Sequence, residues 1–254
     1  MPSAVGEAPV RPLEDLREEM VRVLEAADDR GVPVRAVGGL AVNLICPSAR
    51  VPPLAREYKD LDLAGRRGDA ASITDLLRSL GYSPDEEFNA IHGHRQLYFW
   101  DPARGRQLDV FIERITLSHD LEVGPRLEVT PRTLSPADLL LTKLQVVEVN
   151  EKDLKDACAL LADQPIGPEG IDPQRVLEVL TSDWGWWRTC TATLNAVDRY
   201  AADLEGFSGR DRVVRSAQEL RRLIDEAPKS ARWKLRSIVG ERVRWYELPE
   251  ETGS

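Results

Sequence analysis

Cysteine and histidine are scarce, and their spacing excludes the metal and redox chemistries that depend on them. The chain of 254 residues has three cysteines, Cys46, Cys158 and Cys190, too far apart to form a paired-ligand or redox motif. Reduced, mostly buried thiols are the expectation. His92 and His94 lie close together around Gly93, but no cysteine or third histidine stands near them to complete a zinc site. A ligand contact by His94 or Arg95, at the edge of a strand, is the remaining functional reading of that segment. Long apolar runs are missing too. Nothing approaches the ~18 residues that a membrane-spanning helix needs, and Met1-Pro2-Ser3-Ala4-Val5-Gly6-Glu7 shows no basic-then-apolar signal. A soluble, cytoplasmic protein with no membrane partner is expected. There is no internal repeat or low-complexity tract.

Positive charge is also in deficit. The 34 Lys and Arg against 43 Asp and Glu leave a net charge of −9, which disfavours a surface that coats nucleic acid. The deficit is uneven: from Arg210 to Arg244 basic side chains outnumber acidic ones by eleven to five, with Trp233 and Trp245 close by. An RNA-backbone contact and a solvated amphipathic helix face compete as readings of that stretch. The length allows a sizeable core in one large or two small domains, and a hydrophobic content of 42% is ordinary for a globular protein.

What is present centres on Lys59-Asp60-Leu61-Asp62-Leu63. Side chains alternate along a strand, so Asp60 and Asp62 are expected on one face with Leu61 and Leu63 on the other. Like charges that close resist joint ionisation unless a cation lies between them. A divalent ion is the natural partner, and oxygen-only ligands suit Mg²⁺ better than zinc. Gln107-Leu108-Asp109-Val110-Phe111-Ile112-Glu113 supplies a third acid, Asp109, on a second strand-like run; Asp101-Pro102-Ala103-Arg104-Gly105 reads as the hairpin loop before it. Upstream, Gly38-Gly39 separates the apolar run Val34–Val37 from the helix-compatible Leu40–Ile45. A glycine pair at a strand-to-helix turn lets backbone amides approach a phosphate, and the helix N-terminus favours its charge. Alone, the pair is a tight turn and Asp-Leu-Asp a solvated strand end; their order, followed by a third strand acid, is what points to phosphate chemistry. The insert Cys46–Tyr58 carries three prolines and reads as a loop. Arg56 and Lys59 flank the acids, where touching phosphate, offsetting charge and simple solvation are all open.

Elsewhere helices dominate. Leu13, Leu16, Met20, Val23, Leu24 and Ala27 recur at helical spacing before Gly31, and residues 69–80 form a helix ended by Gly81. Arg126–Thr130 alternates like a strand. Ser135-Pro136-Ala137-Asp138 is a helix start, and Leu139, Leu140, Leu144, Val146 and Val147 make the helix apolar, with Lys143 as its lone cation. Lys143 either snorkels to water or reaches an anion. Asn150 caps a further helix; Asp153 sits in its first turn, where the dipole favours an acid, and Asp156 shares that face. After a turn-rich 164–170, Asp172-Pro173 opens another helix, with breaks near 182, 207 and 228. Trp184, Trp186 and Trp187 could stack a base, but packing between helices is the favoured reading.

The pattern of hydrophobic-Gly-Gly, then Asp-hydrophobic-Asp-hydrophobic, then a later strand Asp resembles the polymerase-beta-like nucleotidyltransferase superfamily. Within it, Leu141-Thr142-Lys143-Leu144 followed by Asp153-Leu154-Lys155-Asp156 is similar to the AbiEii-type group, which includes toxins of toxin–antitoxin pairs. The resemblance spans roughly residues 34 to 161. It implies an α+β fold in which a small mixed sheet flanked by helices (residues 1–134) precedes an all-helical domain (residues 135–254) that completes the nucleotide site. It also implies phosphate or nucleotide roles for Lys143 and Asp156, and more weakly for Asp153. Two departures stand out: Gly39 where many members have serine, which removes a hydroxyl, and the long proline-bearing insert before Asp60.

Together these readings predict nucleotidyl transfer with two Mg²⁺ ions and an NTP as substrate. Asp60 and Asp62 would bind both ions and Asp109 the one on the acceptor side; Gly38, Gly39, Lys143 and Asp156 would hold the nucleotide. An acceptor hydroxyl would attack the α-phosphorus and expel pyrophosphate. The acceptor is open between RNA or protein, as in a toxin with an antitoxin partner, and a small molecule such as an antibiotic. A nucleotide-binding sensor on the same fold is the non-enzymatic alternative.

Overall fold

The computed structural model describes residues 11–247. A five-stranded mixed sheet carries the N-terminal half, in the order β1 (Arg35–Ala36), β2 (Leu61–Gly65), β5 (Arg106–Ile112), β4 (Gln96–Asp101) and β3 (Ser83–Pro84). β2 and β5 run parallel; the other neighbours are antiparallel. Alternation sorts the central strands as expected. Leu61, Leu63, Leu108, Val110 and Ile112 are buried on one face, while Asp62 and Asp109, direct partners in the ladder, occupy the other.

Helix α1 (Leu16–Asp29) starts at Asp15, whose side chain accepts from the Glu18 amide at 2.8 Å, and buries Met20, Val23, Leu24 and Ala27 along one stripe. Leu13, expected in that stripe, lies before the helix and is 39% exposed. Gly31 and Gly81 adopt left-handed backbone after α1 and after α3 (Ala70–Ser79), as the stop signals require. The insert is not a free loop. After α2 (Gly38–Ile45) it forms a short 3₁₀ turn, Pro47–Arg50, in which Asp163 accepts from both the amide and the hydroxyl of Ser48 at 2.7 Å, and Leu54 is buried.

The expected strand at Arg126–Thr130 is absent. Residues 124–126 form a 3₁₀ turn and the rest are turn and bend, because Pro125 and Pro131 remove ladder donors at both ends and Arg126 is drawn onto Asp138. After α4 (Glu86–His92), the additional strands instead form a small hairpin, β6 (Arg114–Thr116) with β7 (Asp120–Glu122).

Six helices follow: α5 (Pro136–Leu144), α6 (Glu151–Asp163), α7 (Pro173–Ser182), α8 (Trp184–Asp203), α9 (Arg210–Glu226) and α10 (Ala231–Val239). Ser135, Asn150 and Asp172 cap α5, α6 and α7 through their side chains. α5 stops at Leu144, so Val146 and Val147 lie outside it. Trp187 packs on Trp233 at 5.2 Å between ring centroids and Trp184 on Trp245 at 5.8 Å, which ties α8 to α10 and its extension. In the basic stretch, Arg221 pairs with Asp198 at 2.6 Å and Arg222 with Glu226 at 2.7 Å. All three cysteines are free and buried. Among the described residues no helix is long and apolar enough to cross a membrane. One buried cluster runs from the sheet into the helical half, and Asp138 stands at the join, bonded by Arg126 Nε at 2.8 Å and Arg175 Nε at 2.7 Å.

Candidate active site

The strand-to-helix turn forms as the glycine pair predicts. The Val37 amide donates to the Asp62 carbonyl at 2.9 Å, which fixes the end of β1 against β2. Gly38 then takes a left-handed conformation (φ 67°). A Cβ there would collide with the Asp62 carboxylate, so only glycine lets that acid lie against the start of α2. The N-cap, Val37, has no side chain that can bond the first-turn amides, which leaves them available to an anion.

The three acids are placed unequally. Asp62 and Asp109 are ladder partners on the face of the sheet opposite Leu61, Leu63, Leu108 and Val110. Asp60 precedes the first residue of β2 and is exposed. Burial, with Asp60 and Asp109 nearby, pushes the Asp62 carboxyl up to about 7, although Lys143 and Arg56 pull against the shift. Burial also raises Asp109; the amides of Gln96 and Gln107 oppose this by donating to its two oxygens at 2.7 and 2.6 Å. Among the described residues no three His, Cys, Asp or Glu side chains are grouped so as to hold a metal ion.

Beside this pair lies a buried charge cluster. Lys143 Nζ is 2.9 Å from Asp156 Oδ2 and 3.2 Å from Asp153 Oδ1. Arg56 forks onto the same Asp156, with Nε at 3.1 Å and Nη2 at 2.8 Å. Burial works against the charged form of Asp156, but Lys143 and Arg56 outweigh it and hold the carboxyl below its usual range. The snorkelling reading of Lys143 is thereby replaced: its ammonium turns inward to two acids.

The structure thus brings together Gly38, Asp62, Asp109, Gly39, Arg56, Lys143 and Asp156, with Asp60 at the rim. It leaves out His94 and Arg95, which lie at the far end of β4, where the Arg95 carbonyl accepts from the Ile112 amide, three residues along β5 from Asp109. Lys59 is exposed, whereas Arg56 turns in. Gln96 and Gln107 were not anticipated; their only sequence signal is that each shares the pleat face of Asp109. A cavity of ≈ 1290 Å³ lies elsewhere, lined by residues such as His119, Arg175, Trp186 and Trp245. None of the acids lines it.

The donor set suits a divalent cation. The donors it offers are carboxylate oxygens, and burial first, then Asp60 and Asp109, raises the Asp62 carboxyl, a shift that a cation bound there would oppose.

This arrangement defines a class. A model of a family described as an uncharacterised nucleotidyltransferase matches residues 14–161, more than half of the chain and the whole of the cluster above. The chain belongs to that family and is an enzyme of the nucleotidyltransferase class. No curated protein matches it. It is similar to three solved structures, each at low identity. For the antibiotic-resistance factor ANT(2'')-Ia the identity is 15%, over 72% of this chain and 92% of that one, with a TM-score of 0.40. For JHP933 from Helicobacter pylori it is 12%, over 89% and 97%, with a TM-score of 0.41. For an antigenic nucleotidyltransferase-like protein from Paracoccidioides brasiliensis it is 15%, over 87% and 97%, with a TM-score of 0.40. Likenesses this distant say nothing about substrate.

Proposed function

We propose that the protein moves a nucleoside monophosphate from an NTP to an acceptor hydroxyl in a Mg²⁺-dependent reaction, with Asp60, Asp62 and Asp109 as the metal-binding acids. The observation that carries this reading is the Asp62 carboxylate, pressed against Gly38 and paired with Asp109, with its pKa raised to about 7. The first-turn amides of α2 bind the β- and γ-phosphates, aided by Lys143, and Asp156 holds that ammonium in place. Asp109, oriented by Gln96 and Gln107, takes the proton of the acceptor hydroxyl as it attacks the α-phosphorus. Divalent cations bound at the acids would neutralise charge on the attacking and leaving oxygens. The helical half from residue 135 onward completes the site through Lys143 and Asp156.

The AbiEii-type resemblance favours RNA or protein as acceptor, and with it a toxin-like role balanced by an antitoxin. Tyr98 and Trp100 share the face of Asp109, and Trp100 is 42% exposed, which suits an acceptor that can stack. A small-molecule acceptor is the second reading, favoured by the net charge of −9 and by the ion-paired arginines of α9.

Incubation with each α-³²P-labelled NTP and Mg²⁺, plus total RNA or cell lysate, tests both. Label should move to an acceptor with the wild type and not with Asp60→Ala, and its appearance on RNA, protein or a small molecule names the acceptor class. Nucleotide binding with no transfer to any fraction would favour a sensor, and no binding would end the proposal. The metal requirement should also depend on pH. Below about pH 7 a proton competes for Asp62, so the Mg²⁺ concentration for half-maximal transfer should rise by up to about tenfold per pH unit and be flat above. A requirement unchanged between pH 6 and 8 would remove Asp62 from the metal site.

A further inference from the structure

Gly39, where a serine hydroxyl would be at home, has a partner that the sequence did not reveal. A Cβ at position 39 would collide with the Arg56 guanidinium and come within 2.9 Å of Tyr58 Cε1. The glycine therefore leaves room for an arginine arriving from the insert. We propose that Arg56 is a triphosphate-binding residue that takes over at the α2 turn the phosphate contact a serine at position 39 would make. This rests on the nucleotidyl-transfer reading above and extends it to the insert.

The geometry is that of a preset anion ligand. Asp156 holds Nε and Nη2, the Tyr58 ring lies 4.2 Å from Cζ, and Nη1 donates to the Glu57 carbonyl at 3.2 Å. A guanidinium carries five N–H donors. Three are used here, so one on each terminal nitrogen stays free, and of the two terminal nitrogens Nη2 lies against Gly39. Fixing the fork in advance reduces the ordering cost when a phosphate arrives. Charge points the same way. Arg56 and Lys143 share the one carboxylate of Asp156, whose side chain is 2% exposed, and Asp153 reaches only Lys143 among the two cations. Arg56 thus lacks a carboxylate of its own. Its side chain is 14% exposed, and it lines a cavity of ≈ 790 Å³ together with Leu40 and Asn43 of α2.

The test is equilibrium binding of the α,β-methylene analogues of the four NTPs with Mg²⁺, alongside label transfer. Arg56→Ala should weaken binding of the preferred analogue about 10- to 100-fold, and Arg56→Lys should restore it only in part, because an ammonium cannot fork. The KM for NTP should rise by a similar factor, with a smaller change in kcat. Gly39→Ser gives the decisive sign. In the wild type the new side chain displaces the guanidinium and weakens binding; in Arg56→Ala the space is free, and the hydroxyl should strengthen it. If Arg56→Ala does not fold, Gly39→Ala serves instead, since it displaces the guanidinium while keeping the arginine, and it should weaken binding to a similar degree. Wild-type affinity in Arg56→Ala or Gly39→Ala, or a serine effect of the same sign in both backgrounds, would overturn the role of Arg56. If Asp62→Ala still abolished transfer, the parent reading would survive that result. A wild type that binds none of the analogues would sink both.

Discussion

Asp62→Asn should lose nucleotidyl transfer by about 10³-fold or more while gaining stability, because the group that chemistry needs is one that the fold tolerates poorly. The loss follows from the role proposed for the carboxylate: charge stabilisation by a held cation is worth several kcal/mol in the transition state, and a neutral amide cannot share in it. The gain follows from the raised pKa. Folding lifts the Asp62 carboxyl from 3.8 to about 7, through burial and then through Asp60 and Asp109. A carboxyl raised in the folded state binds its proton more tightly there than in the unfolded chain. Its ionisation therefore costs stability progressively as pH rises from 3.8 to about 7, and the full cost is present above 7. At pH 8 that cost is on the order of 4 kcal/mol. Melts in chelator should thus show Asp62→Asn above wild type at pH 8 and the two converging near pH 4, and saturating Mg²⁺ should narrow the gap by raising wild type alone. Equal melting at pH 8 would mean that the acid is not strained, and retained transfer would remove it from the mechanism.

The same opposition explains what could be read from the sequence. Asp62, Asp109 and Gly38 were legible because each breaks a local rule in a recognisable place: an acid on alternate positions of an apolar strand, a glycine at the start of a helix. The caps at Ser135, Asn150 and Asp172 were legible for a related reason, since a cap depends on residues within one turn. Arg56 was visible only as a flanking charge. Its partner Asp156 is 100 residues away, and no periodicity links an insert to the second turn of a distant helix. Gln96 and Gln107 carry no signature until the register of β4 and β5 is known. The errors have similar causes. Arg126–Thr130 alternates well enough to pass as a strand, but Pro125 and Pro131 deny it a ladder, and the real β6–β7 hairpin has three residues a side, too few for a period to show. Val146 and Val147 extended an apolar count past the point where the helix ends.

Asp138→Ala should be the most destabilising single change away from the acids, by about 3 to 5 kcal/mol, which for a chain of this size lowers the melting temperature by about 10 °C. Asp138 is wholly buried and its carboxylate accepts three hydrogen bonds, from Arg126 Nε at 2.8 Å, Arg175 Nε at 2.7 Å and the Ser135 hydroxyl at 2.6 Å, while its backbone amide donates to that hydroxyl at 3.1 Å. Arg175, itself buried, also donates to the Glu122 carbonyl at 3.0 Å, so the one carboxylate fastens β7, the segment around Arg126, α5 and α7 together. Alanine would leave two guanidinium groups without their shared anion. The penalty lies in that stranding rather than in the worth of the bonds, so a double replacement, Asp138→Leu with Arg175→Met, should cost much less than Asp138→Ala, even though it removes more hydrogen bonds. Denaturant melts of the two variants decide the point, and equal losses would mean that the charges are solvated. The functional consequence runs along α5. Lys143 lies five residues beyond Asp138 on the same helix, so loosening its first turn should raise the KM for NTP in Asp138→Ala at temperatures well below its melt, even though Asp138 touches no part of the site.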